Sequence, residues 1–156
     1  MKPYNLFLDD FRHPYDAFQY TGDTVFSKLK WEIVRSHDEF VSRIKKKFKK
    51  GEFPSLIAFD HDLSDDHYQH TTGDFPYDET LEKTGMHSAR WLADFCIDNN
   101  LQLPDYRVHS MNPAGRENIK GFLENFKKFQ DKTKEYEKRS LNDDLMRDVV
   151  SGEDDK

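Results

Sequence analysis

The stretch Leu56-Ile57-Ala58-Phe59-Asp60-His61-Asp62 decides how this chain folds. An unbroken apolar run reads as a strand buried on both faces inside a parallel sheet, and the acidic end that follows marks the rim where open α/β sheets carry their chemistry. A second stretch of the same design lies near the start, Leu6-Phe7-Leu8-Asp9-Asp10. Carboxylates from both runs gathered at one rim would repel each other and raise some of their own pKa values. A divalent cation is the simplest remedy.

Outward from these runs, Trp31-Glu32-Ile33-Val34-Arg35 alternates enough to be a strand with one wetter face, and Tyr106-Arg107-Val108-His109 reads as a fourth strand. The segment from His13 to Lys30 holds Pro14 and Gly22 and lacks a long helical stripe, so the first crossover helix is expected to be short or irregular. Ser36-His37-Asp38-Glu39 is a capping-box pattern, after which Phe40, Val41, Ile44 and Phe48 mark one helical face that Gly51 ends. Thr84 is placed to cap a helix whose stripe is Ala89, Leu92, Ala93, Cys96 and Ile97, closed by Asn99-Asn100. Asn112-Pro113 is a start signal for a last helix faced by Ile119, Phe122, Leu123, Phe126 and Phe129. Right-handed crossovers then favour a parallel sheet in the order 2-1-3-4. The expected fold is a flavodoxin-like, three-layer α/β sandwich with a degenerate first helix and no clear fifth strand.

At 156 residues the chain fits one domain, expected over residues 1–132, with a charged helix or tail over 133–156 that is partly disordered. A net charge of −6 argues against an extended nucleic-acid-binding face, although a local grip on one phosphate end stays open. Lys45, Lys46, Lys47, Lys49 and Lys50 read as a solvated helix face. Cys96 is the only cysteine, which rules out a disulfide within the chain, and no apolar N-terminal segment resembles a membrane span or signal. These features predict a cytoplasmic protein without a membrane partner. Thirteen Phe and seven Tyr predict an aromatic-rich core.

If strands one and three are neighbours, Asp9, Asp10, Asp60 and Asp62 face the same crevice. The first three are the leading metal ligands and Asp62 a further one, and oxygen donors favour Mg²⁺, Mn²⁺ or Ca²⁺ over zinc. Strand-end aspartates often do no more than cap turns, but two clusters at the ends of adjacent strands favour a metal or catalytic site. Strand four brings His109 and Ser110 to the same rim. The helix opened by Asn112-Pro113-Ala114-Gly115-Arg116 offers backbone amides to a phosphate, with Gly115 permitting close approach and Arg116 pairing with it. Arg12 is a further phosphate contact. His61 and His109 are the candidate general acid and base. The polar stretch from Ser64 to Lys83 is long enough to be a lid.

With these residues in place the chain resembles a receiver domain, which carries an acidic pair after strand one, an Asp after strand three and a Ser or Thr after strand four. That resemblance implies Mg²⁺ at Asp9 and Asp10, a phosphoryl-accepting Asp60 and a contact from Ser110. The chain departs from it in lacking a fifth strand with the phosphoryl-binding lysine, and in continuing strand three as His61-Asp62-Leu63. It more closely resembles the cyclic-phosphate processing, receiver-like family, with its L-D-D-x-R-x-P, D-H-D-L and H-S-x-N-P-x-G-R-E motifs. Here these are Leu8 to Pro14, Asp60 to Leu63 and His109 to Glu117. The resemblance implies a phosphoesterase that uses Mg²⁺ or Mn²⁺ on an RNA 2′,3′-cyclic-phosphate end or a small cyclic nucleotide. In that setting Asp60 is either a ligand or the nucleophile. The alternative is a non-catalytic module that sequesters a nucleotide or contacts a protein partner.

Overall fold

A computed structural model describes residues 1–63 and 83–154, with residues 148–154 described by their backbone alone. Strands β1 (Lys2–Leu8), β2 (Glu32–Val34), β3 (Glu52–Phe59) and β4 (Asp105–Val108) form one sheet in the order β2-β1-β3-β4. All three pairings are parallel, as the right-handed-crossover argument requires. The register aligns Leu8 with Val34 and with Phe59, and Phe59 with Val108. The strands therefore end level with one another. The ladder continues one residue past each end: Asp9 donates its amide to Val34 O at 3.1 Å, Asp60 to Leu8 O at 3.0 Å and His109 to Phe59 O at 3.0 Å. Two carboxylates and an imidazole thus leave the sheet side by side.

Helices α1 (Pro14–Thr21) and α2 (Val25–Lys28) make up the first crossover, followed by α3 (His37–Lys49), α4 (Gly85–Asp98) and α5 (Pro113–Asp154). The first crossover is short, as its composition predicts. Gly22 adopts φ +71° and caps α1 through a 2.8 Å bond to Phe18 O, a left-handed turn that a side chain would strain. Ser36 Oγ accepts from Glu39 N at 3.1 Å and opens α3. The Glu39 carboxylate reaches one residue further back than the capping-box pattern, to Arg35 N at 2.8 Å. Gly51, at φ +82°, turns the chain from α3 into β3.

Alternation along the two central strands divides the core. Phe7 and Ala58 pack with Ala17, Phe26 and Trp31 on the side of α1 and α2. Phe59 meets Phe40 of α3, which in turn meets Trp91 of α4. Both faces of Leu6–Leu8 in β1 and Leu56–Phe59 in β3 are buried, which is why these runs carry no polar alternation. Ala89, Leu92, Ala93 and Cys96 of α4 are buried, but Ile97 is exposed, because it sits about 100° around the helix from Cys96 and off the narrow stripe. In α5, Ile119 and Leu123 are buried, whereas Phe129 is exposed beside Phe126. The chain divides into the units Met1–Leu123 and Glu124–Lys156. No helix among the described residues is long and apolar enough to cross a membrane.

Candidate functional site

The site is built on the aligned strand ends. Asp9 is fully buried, and its Oδ1 accepts from the amides of Phe11 at 3.1 Å and Arg12 at 2.9 Å. Its Oδ2 lies 3.0 Å from His109 Nε2, and both side chains are 0 % exposed. Arg35 closes the turn from outside, donating through Nη1 to Asp9 O at 3.1 Å and Arg12 O at 2.6 Å. Burial alone would push Asp9 up, but the hydrogen bond from His109 and the two amides outweigh it and hold the carboxyl below the ordinary range.

His109 is not a rim residue. Its ring stacks on Phe7 at 4.5 Å and meets Phe26 edge-on, and Tyr20 donates its hydroxyl hydrogen to the His109 carbonyl. Burial lowers its pKa more than Asp9 raises it, which favours the neutral imidazole. A neutral ring facing an ionised carboxylate carries its hydrogen on Nε2, which leaves the buried Nδ1, unpartnered among the described residues, without one. Such a residue positions Asp9 and is walled off from any substrate. The expectation that His109 works as a general acid or base at the rim is corrected accordingly.

Oxygens of Asp9, Asp10 and Asp60 lie within 4.8 Å of one another, a grouping that could hold a metal ion. Burial, then the charge of Asp9, push Asp60 up to about 7 against the opposing hydrogen bond from the Ser110 hydroxyl. Asp10 is raised for the same first two reasons, and its Oδ1 is buried with no partner among the described residues. An orphaned carboxylate oxygen beside two more carboxylates fits a cation in this position.

Asp62 lies outside that trio. It accepts instead from His61 Nδ1 at 2.8 Å and from Asn112 Nδ2 at 3.3 and 3.4 Å. Asn112 caps α5 by accepting the Gly115 amide at 3.1 Å, and Ser110 Oγ accepts the Asn112 amide at 3.1 Å. A Cβ on Gly115 would fall 2.3 Å from His61 Cγ, so this glycine makes room for the imidazole, and its amide is already used by the cap. Arg116 donates to Ser110 O at 3.3 Å. Asn112 and Gly115 therefore frame the His61–Asp62 pair, and Arg116 holds the Ser110 carbonyl. Arg12 stays at the rim, its guanidinium carbon 5.5 Å from the Tyr20 ring.

A family model for the cyclic-phosphate processing receiver domain matches residues 4–125. The chain belongs to this family. No curated protein and no solved structure matches it. The matched range takes in the carboxylate trio, the His61–Asp62 pair and the Asn112 cap. The lid expected over Ser64 to Lys83 lies outside the described residues except for Lys83.

Gly85 and Arg35 belong to this family member's site and escape a motif reading. A Cβ on Gly85 would lie 1.8 Å from the Asp60 carbonyl oxygen, while the Gly85 amide donates to His61 O at 2.8 Å. A glycine in the first turn of a helix, directly after its cap residue, is the one sequence signal of such a close approach. Gly85→Ala is expected to destabilise the fold by about 1–3 kcal/mol through overpacking. Gly121→Ala, where nothing lies within 4 Å, should be neutral or stabilising. Chemical denaturation of the two variants checks both signs.

Proposed function

We propose that this chain is a phosphoesterase that opens a cyclic phosphate, at an RNA 2′,3′-cyclic-phosphate end or in a small cyclic nucleotide, with a divalent cation of the Mg²⁺ or Mn²⁺ class at Asp9, Asp10 and Asp60. The observation that carries the reading is the convergence of three carboxylates, one with an orphaned buried oxygen, at aligned strand ends. A cation bound there supplies Lewis acidity toward a phosphoryl oxygen. Asp9 is oriented by His109 and two backbone amides, and Asp60 is steadied by the Ser110 hydroxyl and the His61 amide. Arg12 pairs with the phosphate from the rim. His61 is fixed through Nδ1 on Asp62, and its Nε2, which has no hydrogen-bond partner among the described residues, serves proton movement. It takes the proton of the attacking water as the new P–O bond forms and returns it to the ribose oxygen released by cleavage of the ring P–O bond.

Hydrolysis of 2′,3′-cyclic-phosphate RNA ends and cyclic nucleotides, with and without Mg²⁺ or Mn²⁺, tests this. Turnover is expected to require the ion and to fall about 10²- to 10⁴-fold in His61→Ala. Metal-independent turnover contradicts the reading. Tight nucleotide binding without turnover favours the sequestering module.

The pH dependence of cation binding has a definite sign. A carboxyl raised to about 7 favours its protonated form in the metal-free fold, so the stability it contributes is present at low pH and is lost as pH rises through that value. Cation binding needs the ionised form. Affinity is therefore expected to be full near pH 8 and to weaken about tenfold per pH unit well below 7, with one proton released. Calorimetry in two buffers of different ionisation enthalpy measures that proton.

A further inference from the structure

The rim beside the carboxylates carries an arrangement that the proposed chemistry leaves unused. Phe11 follows the acidic pair directly and is 64 % exposed. Its backbone is pinned, with its amide held on Asp9 Oδ1 at 3.1 Å and the next carbonyl held by Arg35 at 2.6 Å. The Arg12 guanidinium carbon lies 4.7 Å from the Phe11 ring centroid. Its Nη2 lies 3.2 Å from the sulfur of Met111, which is 58 % exposed and belongs to the segment after β4. An exposed aromatic face, a polarizable sulfur and a cationic plane thus meet at the edge of the site from two separate loops.

We propose that Phe11 and Met111, with Arg12 against both, form the platform on which the substrate's nucleobase stacks. The substrate class is then a base-bearing cyclic phosphate, as opposed to the cyclic phosphate of a simple sugar or polyol. This inference rests on the phosphoesterase reading above. A nucleotide presents a planar π face one sugar away from its phosphate, and here the exposed ring is two residues from Asp9 and adjacent to both Asp10 and the phosphate-pairing Arg12. Arg12 serves both ends, with its plane against the ring and its donors toward the phosphate. Stacking accepts any base, because every base has a π face, so the platform requires a base without choosing its identity.

The test compares adenosine 2′,3′-cyclic phosphate with base-free ribose 2′,3′-cyclic phosphate in wild type, Phe11→Ala and Phe11→Trp. Phe11→Ala is expected to raise KM for the adenosine substrate about tenfold, the size of one base stacked on an aromatic ring, with kcat little changed. The base-free substrate should not respond to the substitution, and Phe11→Trp should restore KM. An equal effect on both substrates, or no effect on either, overturns the platform. If wild type hydrolyses neither compound, the phosphoesterase reading has failed, and calorimetric binding of adenosine 2′-monophosphate and ribose 2-phosphate by the same proteins decides the platform separately. Preference for the adenosine ligand that disappears in Phe11→Ala upholds it. Equal wild-type affinity for both ligands overturns it.

Discussion

Asp60→Asn is expected to weaken divalent-cation binding at least about a hundredfold, to lower kcat/KM on a cyclic phosphate by at least about a thousandfold, and at the same time to make the metal-free protein more stable above pH 7. The two signs come from one cause. Asp60 is buried at a strand end beside the ionised Asp9, and that environment pushes its carboxyl up to about 7. Without a cation, a charge there works against the fold. Asn keeps an oxygen for the His61 amide, 2.9 Å from Asp60 Oδ1, and remains a partner for the Ser110 hydroxyl. The geometry should survive while the charge is removed. A gain of up to about 4 kcal/mol at pH 8 follows from a displacement of this size, at about 1.4 kcal/mol per pH unit. Chemical denaturation gives the stability and calorimetry the binding. A metal-free variant less stable than wild type at pH 8 would show that the carboxylate is held by something other than a missing cation.

His109→Ala is expected to have the largest effect on stability, about 3–5 kcal/mol, because it leaves Asp9 as a buried charge without its partner and opens a hole against Phe7. His109→Gln retains a donor near Asp9 Oδ2 and should recover part of that loss. Its pH–rate profile should keep the wild-type shape, since a residue enclosed by Phe7 and Phe26 moves no substrate proton. His61→Gln should fold normally and lose the limb of the profile that reports proton transfer. The denaturation midpoint separates the first pair of effects, and the pH profile the second. A limb that vanishes in His109→Gln and persists in His61→Gln would reverse the two roles.

The parts of this fold that were legible in the sequence are those fixed by burial on both faces. Leu6-Phe7-Leu8 and Leu56-Ile57-Ala58-Phe59 have no polar alternation because helices cover both sides of β1 and β3, and the handedness of the crossovers then leaves one sheet order. The trio Asp9, Asp10 and Asp60 follows from that order alone. Side-chain direction beyond the strand ends was not legible. His109 extends the ladder by one more bond, to Phe59 O, and its ring turns into the Phe7 layer behind Asp9. Strand alternation puts Asp60 and Asp62 on one face, but the chain leaves the sheet at Asp60, where Gly85 packs against the carbonyl, and Asp62 turns to His61 and Asn112. The sequence around Gly115 suggests an opening for phosphate because nothing in it says that the His61 ring fills that space. In each case the missing information is a tertiary contact between residues more than twenty apart in the chain.

A Mn²⁺ titration at pH 8, followed by electron paramagnetic resonance of the free ion, bears most directly on whether the carboxylate trio is one cation site. One ion per chain is expected, with affinity weakened at least about a hundredfold by each of Asp9→Asn, Asp10→Asn and Asp60→Asn, and nearly unchanged by Asp62→Asn. Binding that survives all three of those substitutions, or that Asp62→Asn removes as completely as Asp60→Asn does, would contradict the account.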